Sequence, residues 1–180
     1  MLQITIPAIE LWDEQKQEFI QRKEQVLELE HSLISLRKWE SKWCKAFLSK
    51  TPKTDEEVID YIKCMTITKN VDPETYSYLT KKNIKEINQY IEAPMTATYL
   101  TEDKNAKGNR EVVTAEVIYW WMIALNIPFS CEKWHINSLL TLIKVCNAKN
   151  SPAKKRGMKE TINRYAALNE ARKKSLNTRG

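Results

Sequence analysis

Leu2, Ile4 and Ile6 alternate with polar residues ahead of Pro7, and Val26, Leu27 and Leu29 lie in a second stretch that alternates in part with charges. A period of two marks a strand with one buried face. Two or three short strands, with a hairpin as one arrangement, are therefore expected at the N-terminal end. From Ser32 the period lengthens: Leu33, Leu36, Trp39, Trp43 and Phe47 recur every three or four residues, on one side of a helix running to about Leu48. Thr54 and Glu57 form a capping-box pair ahead of Val58, Ile62 and Met65, which predicts a second helix over 55–66. Asp72 before Pro73 reads as the cap and first residue of a short turn holding Tyr76 and Leu79. Ile84, Ile87 and Ile91 give one face of a third helix over 81–91, stopped by Pro94.

The polar, aperiodic stretch 101–110, with Gly108, is expected to be a surface loop. Beyond it, 113–125 is apolar almost all round and carries Trp120 and Trp121 side by side, so it is expected to be the central helix, covered on every face. Pro128 separates it from a helix starting near Cys131, with a wide stripe of Ile136, Leu139, Leu140, Ile143 and Cys146. Ser151 and Pro152 end that pattern. Helix formers dominate again over 159–175, where Ile162, Tyr165, Ala166, Leu168 and Ala171 are the apolar contacts on offer. The fold class expected is mainly α, classed α+β: a compact helical domain over 1–150 with a small N-terminal β element, then a basic C-terminal arm over 151–180.

Charge sharpens the division. From Lys144 onward there are eleven basic and two acidic residues, a surplus of nine; against a net charge of +6 for the chain, this leaves −3 for the first 143 residues. Like charges resist collapse and attract counter-charge, so such an arm meets an anionic partner, orders on a protein surface, or stays solvated. Three glycines leave little room for the tight loops that cradle phosphates or dinucleotides. Residues 1–12 lack a basic segment followed by an apolar one, and the longest apolar run, 117–125, is too short for a membrane span, so a soluble cytosolic protein is expected.

Candidate chemistry is sparse. Cys44, Cys64, Cys131 and Cys146 show no CxxC spacing, and with His31 and His135 they make a poor zinc set; reduced, buried, structural thiols are expected, with no metal and no cofactor. His31 sits at a strand-to-helix junction and His135 at a helix start, where structural hydrogen bonding is commoner than catalysis. Asp55, Glu56, Glu57 and Asp60 crowd one helix start, which the helix dipole favours without any paired-carboxylate chemistry. The chain is therefore read as non-enzymatic. Its candidate partner-binding residues are the aromatics Trp39, Trp43, Trp120, Trp121 and Trp134 and the basic Lys154, Lys155, Arg156, Arg164, Arg172, Lys173 and Lys174. Two adjacent indoles cannot face one core, so either neighbouring elements enclose both or the exposed one marks an interface.

Three stretches, His31 to Trp43, Trp134 to Asn147 and Ala167 to Gly180, resemble small proteins of the tail-gene modules of tailed bacteriophages, of the tail assembly chaperone type. The resemblance extends along the chain. It implies a morphogenesis protein of the host cytoplasm that binds the long, helical tape measure protein and keeps it soluble until tail tube subunits polymerise around it. A neck or tail-completion subunit of the virion is the alternative within that group. A basic nucleic-acid-binding protein is the alternative from another class, because the arm and Tyr165 suit phosphates and stacked bases. Homo-oligomerisation stays open.

Overall fold

The computed structural model describes residues 1–13, 17–98, 112–150 and 158–176. The protein is mainly helical with a small antiparallel β element at its N-terminal end. It divides into two compact units, Met1–Asn147 and Ala148–Gly180.

Four strands open the chain: β1 (Leu2–Ile6), β2 (Ile9–Asp13), β3 (Glu18–Arg22) and β4 (Gln25–Leu29). β1 pairs with β4 and β2 with β3, both antiparallel. The register is the same in both pairs, since Leu2 lies opposite Leu29 and Ile9 opposite Arg22. They are two halves of one ribbon. Pro7, which has no N–H to give a ladder, stands at the break. In the first half Ile4 faces Leu27 across the ribbon, and Ile4, Ile6, Leu27 and Leu29 are all buried. The second half was not foreseen from the sequence.

Helix α1 (Leu33–Trp43) starts at Ser32, whose hydroxyl accepts the N–H of Ser35. It ends at Cys44, which turns left-handed (φ 52°, ψ 35°), rather than near Leu48. The turn is held by Glu40, a carboxylate buried near the end of α1, which accepts the N–H of Phe47 at 2.8 Å. Phe47 still meets the core, from the loop. α2 (Asp55–Met65) begins with the expected capping box, Thr54 and Glu57 each bonding the other's backbone N–H. A 3-10 turn, Pro73–Tyr78, leads to α3 (Lys81–Glu92), which packs on β1.

α4 (Ala115–Ala124) has no capping side chain of its own. Glu40 reaches it instead, accepting the N–H of Ala115 at 2.7 Å. Burial raises the pKa of Glu40, and its two backbone N–H bonds work against that rise. A second 3-10 turn, Phe129–Lys133, follows, so α5 (Ile136–Asn150) starts five residues later than Cys131 suggested. The central element is α1, not α4: α1 packs against α2, α4 and the second 3-10 turn. α1 contributes Leu33, Leu36 and Trp39 to the core, α2 Ile62 and Met65, α4 Ile118 and Met122, α5 Leu139 and Ile143. Each such side chain is worth roughly 1.5–3 kcal/mol of transfer free energy. α6 (Met158–Leu176) lies in the second unit. The expected loop 101–110 lies outside the described residues.

Candidate functional site

The five candidate tryptophans occupy three kinds of environment. Trp39 is a core residue, 1 % exposed, and so cannot meet a partner; its indole N–H donates to the carbonyl of Glu57 at 2.9 Å. Around it Phe47 stacks on Tyr61 at 3.7 Å, and Trp39 meets Phe47 edge-on at 5.1 Å. Trp43, half-buried, stacks beside Trp39 and donates to Asp60 at 2.9 Å. Lys42 pairs with the same carboxylate. These two indoles build the junction of α1 and α2.

Trp120 and Trp121 part company. Trp121 is half-buried against the core, whereas Trp120 is 62 % exposed and Ile123, one turn on, 61 %. The expectation that both indoles are enclosed fails, because among the described residues nothing covers the 116, 120, 123, 124 stripe of α4. Phe129, also exposed, approaches the ring of Tyr119, whose hydroxyl donates to Glu132 at 2.7 Å. Trp120 and Ile123, three residues apart on α4, therefore form an exposed apolar ridge, and Phe129 lies exposed beside the neighbouring Tyr119. Trp134 is exposed too, beside a cleft of about 560 Å³ lined by Met95, His135, Ser138 and Leu142.

Of the candidate basic residues, Arg172, Lys173 and Lys174 are exposed in the last turns of α6, together with Ile162, Tyr165, Leu168 and Leu176. Arg164 belongs to α6 by its backbone, while its side chain, like the whole of Lys154, Lys155 and Arg156, lies outside the described residues.

The two histidines, 104 positions apart, meet with ring centroids 5.0 Å apart. Nothing local in the sequence signals this. Ser32 and His135 form a β-bridge, and the N–H of Ile136 donates to the carbonyl of His31 at 2.8 Å. His135 spends both nitrogens: Nε2 lies 3.0 Å from the carbonyl of Tyr90, and Nδ1 accepts the N–H of Asn137 at 3.3 Å. It thereby caps α5 as a Ser or Asp would. His31 Nδ1 lies 2.6 Å from the hydroxyl of Tyr61. Burial pushes the Tyr61 phenol well above its ordinary range, so it keeps its proton and can donate it to a neutral His31. Burial, reinforced by the neighbouring His135, pushes His31 down to about 3, and burial lowers His135 as well. Both rings are neutral hydrogen-bonding links among the start of α1, the end of α3 and the start of α5.

Among the described residues no group of three or more His, Cys, Asp or Glu is placed to hold a metal ion. All four cysteines are free, but only Cys131 is buried, and Cys44 is exposed at the left-handed end of α1. The expectation of uniformly buried thiols is corrected accordingly. No helix among the described residues is long and apolar enough to cross a membrane. The chain matches no protein-family model, no curated protein and no solved structure.

Proposed function

We propose that this protein works by binding other macromolecules, with no bond made or broken, and that it is a tail assembly chaperone that holds a phage tape measure protein in solution in the host cytoplasm. The observation that carries the reading is the apolar ridge of Trp120 and Ile123 on α4, with Phe129 exposed nearby, large apolar side chains that no described residue covers. Exposed apolar clusters of this kind are where soluble proteins meet partners, and an aromatic ridge suits the apolar stripe of a long helical client. The sequence resemblance supplies the identity of that client.

The test is co-expression with the tape measure protein of the same gene cluster. Soluble yield of the client is expected to rise several-fold with the wild-type chain. The double variant Trp120→Ser, Ile123→Ser should lose that effect while melting within a few degrees of wild type, because neither side chain supports the core. A client yield indifferent to the wild-type chain would remove this reading. Recovery of the chain from purified virions would favour the neck or tail-completion subunit instead.

A second reading, nucleic-acid binding, draws on α6, where Arg172, Lys173 and Lys174 stand exposed near Tyr165. If these three residues neutralise three phosphates of a single strand, log affinity should fall with log salt at a slope of about two. Glutamine at all three should abolish that slope. No binding to an oligonucleotide at low salt excludes the reading.

A further inference from the structure

A groove of about 780 Å³ lies on the first unit between the 48–50 loop, the 112–113 segment, α4 and α5. Its apolar lining comes from Leu48, Val112, Val113, Trp121, Leu140 and Ile143. Along α5 it is lined by Leu140, Ile143, Lys144 and Asn147, spaced i, i+3, i+4, i+7. That is one helix face about two turns, or about 10 Å, long. Lys50 and Lys144, both exposed, stand at this groove, and no Asp or Glu is among its described lining residues. Neither lysine has a carboxylate partner among the described residues. The groove is thus apolar within and positive at its edge.

We infer that this groove binds an amphipathic helix of a partner protein, with an apolar stripe seated against Trp121, Leu140 and Ile143 and carboxylates flanking the stripe opposite Lys50 and Lys144. An apolar groove of this kind suits a helix-in-groove contact, and the two lysines, without a carboxylate partner among the described residues, set the charge of the occupant. The protein's own spare helix is the wrong partner. α6 carries five basic residues against Glu160 and Glu170, so charge opposes the arm. The site is separate from the Trp120 ridge and does not depend on the identity of any client.

The probe is a fluorescein-labelled helical peptide of about four turns, with leucines on one face flanked by glutamates, followed by anisotropy at low salt. Binding with a Kd on the order of 100 µM or tighter is expected. The same peptide with lysine for glutamate, or serine for leucine, should bind at least about tenfold more weakly. Lys50→Glu with Lys144→Glu should cost about tenfold for the acidic peptide and restore binding of the lysine peptide, a reversal that misfolding cannot mimic. Replacing Arg172, Lys173 and Lys174 by glutamine should leave the affinity unchanged. Loss through the α6 variant, or an affinity within about twofold of wild type in the Lys50, Lys144 variant, overturns the inference. So does binding of dodecanoate, read as a tryptophan fluorescence change that Trp121→Phe removes, without binding of the acidic peptide; that outcome assigns the groove to an anionic lipid.

Discussion

Between about pH 7 and pH 4.5 the folded protein is expected to lose roughly 3 kcal/mol of stability through His31 alone. Folded His31 titrates at about 3, because its ring is buried and lies against His135, while the unfolded chain takes up the proton near the ordinary 6.5. The contribution of the neutral ring is complete above about 6.5 and drains away as the pH falls toward about 3. His135, also lowered by burial, adds in the same direction. Glu57, held low by Lys45 and by its cap bond to Thr54, adds a carboxylate component as well. Glu40, raised by burial, opposes it. Urea unfolding of wild type and His31→Gln at the two pH values separates these sources. The pH-dependent loss should shrink by more than about half in the variant, and equal losses in both proteins would discharge His31 as the cause.

Trp39→Ala is expected to cost about 3–5 kcal/mol, a large part of the stability of a domain this size. The substitution empties the centre of the ring cluster formed with Trp43, Phe47 and Tyr61 and strips the Glu57 carbonyl of its indole donor. Trp39→Phe separates the two losses. It keeps most of the bulk and forfeits the hydrogen bond, so about 1–2 kcal/mol is expected. The urea midpoint should fall in that order with an unchanged slope. A Trp39→Ala protein as stable as wild type would mean that this indole is not a core residue.

Local physics made much of the fold legible. Thr54 with Glu57 announced α2, the three-to-four spacing from Leu33 to Trp39 announced α1, and the alternation of Leu2, Ile4 and Ile6 announced β1, because each signal is complete within one or two turns or one strand. The end of α1 was hidden, since Trp43 and Phe47 keep the helical spacing while Cys44 turns left-handed and the Glu40 carboxylate holds the loop. The start of α5 was hidden for a similar reason: the 3-10 turn over Phe129–Lys133 carries the same kind of residues as a helix. Features of the surface and of long range were less accessible still. The apolar character of 115–124 said that the helix needs cover, and could not say that the described residues leave the Trp120 side exposed. The meeting of His31 with His135, and of Lys50 with Lys144 at one groove, depends on how distant helices dock, which no window of sequence contains.

The carboxylate that finishes α4 comes from Glu40, 75 positions earlier. A helix that borrows its opening acceptor from so far away cannot complete itself while the rest of the chain is unassembled, because the first turn of α4 then relies on water for the N–H of Ala115. The same carboxylate, left without Ala115 and Phe47, would face apolar surroundings with no donor to answer it. Assembly of the two halves of the first unit is therefore mutually conditional. An early-half fragment and a late-half fragment should each be poorly ordered alone and gain structure together.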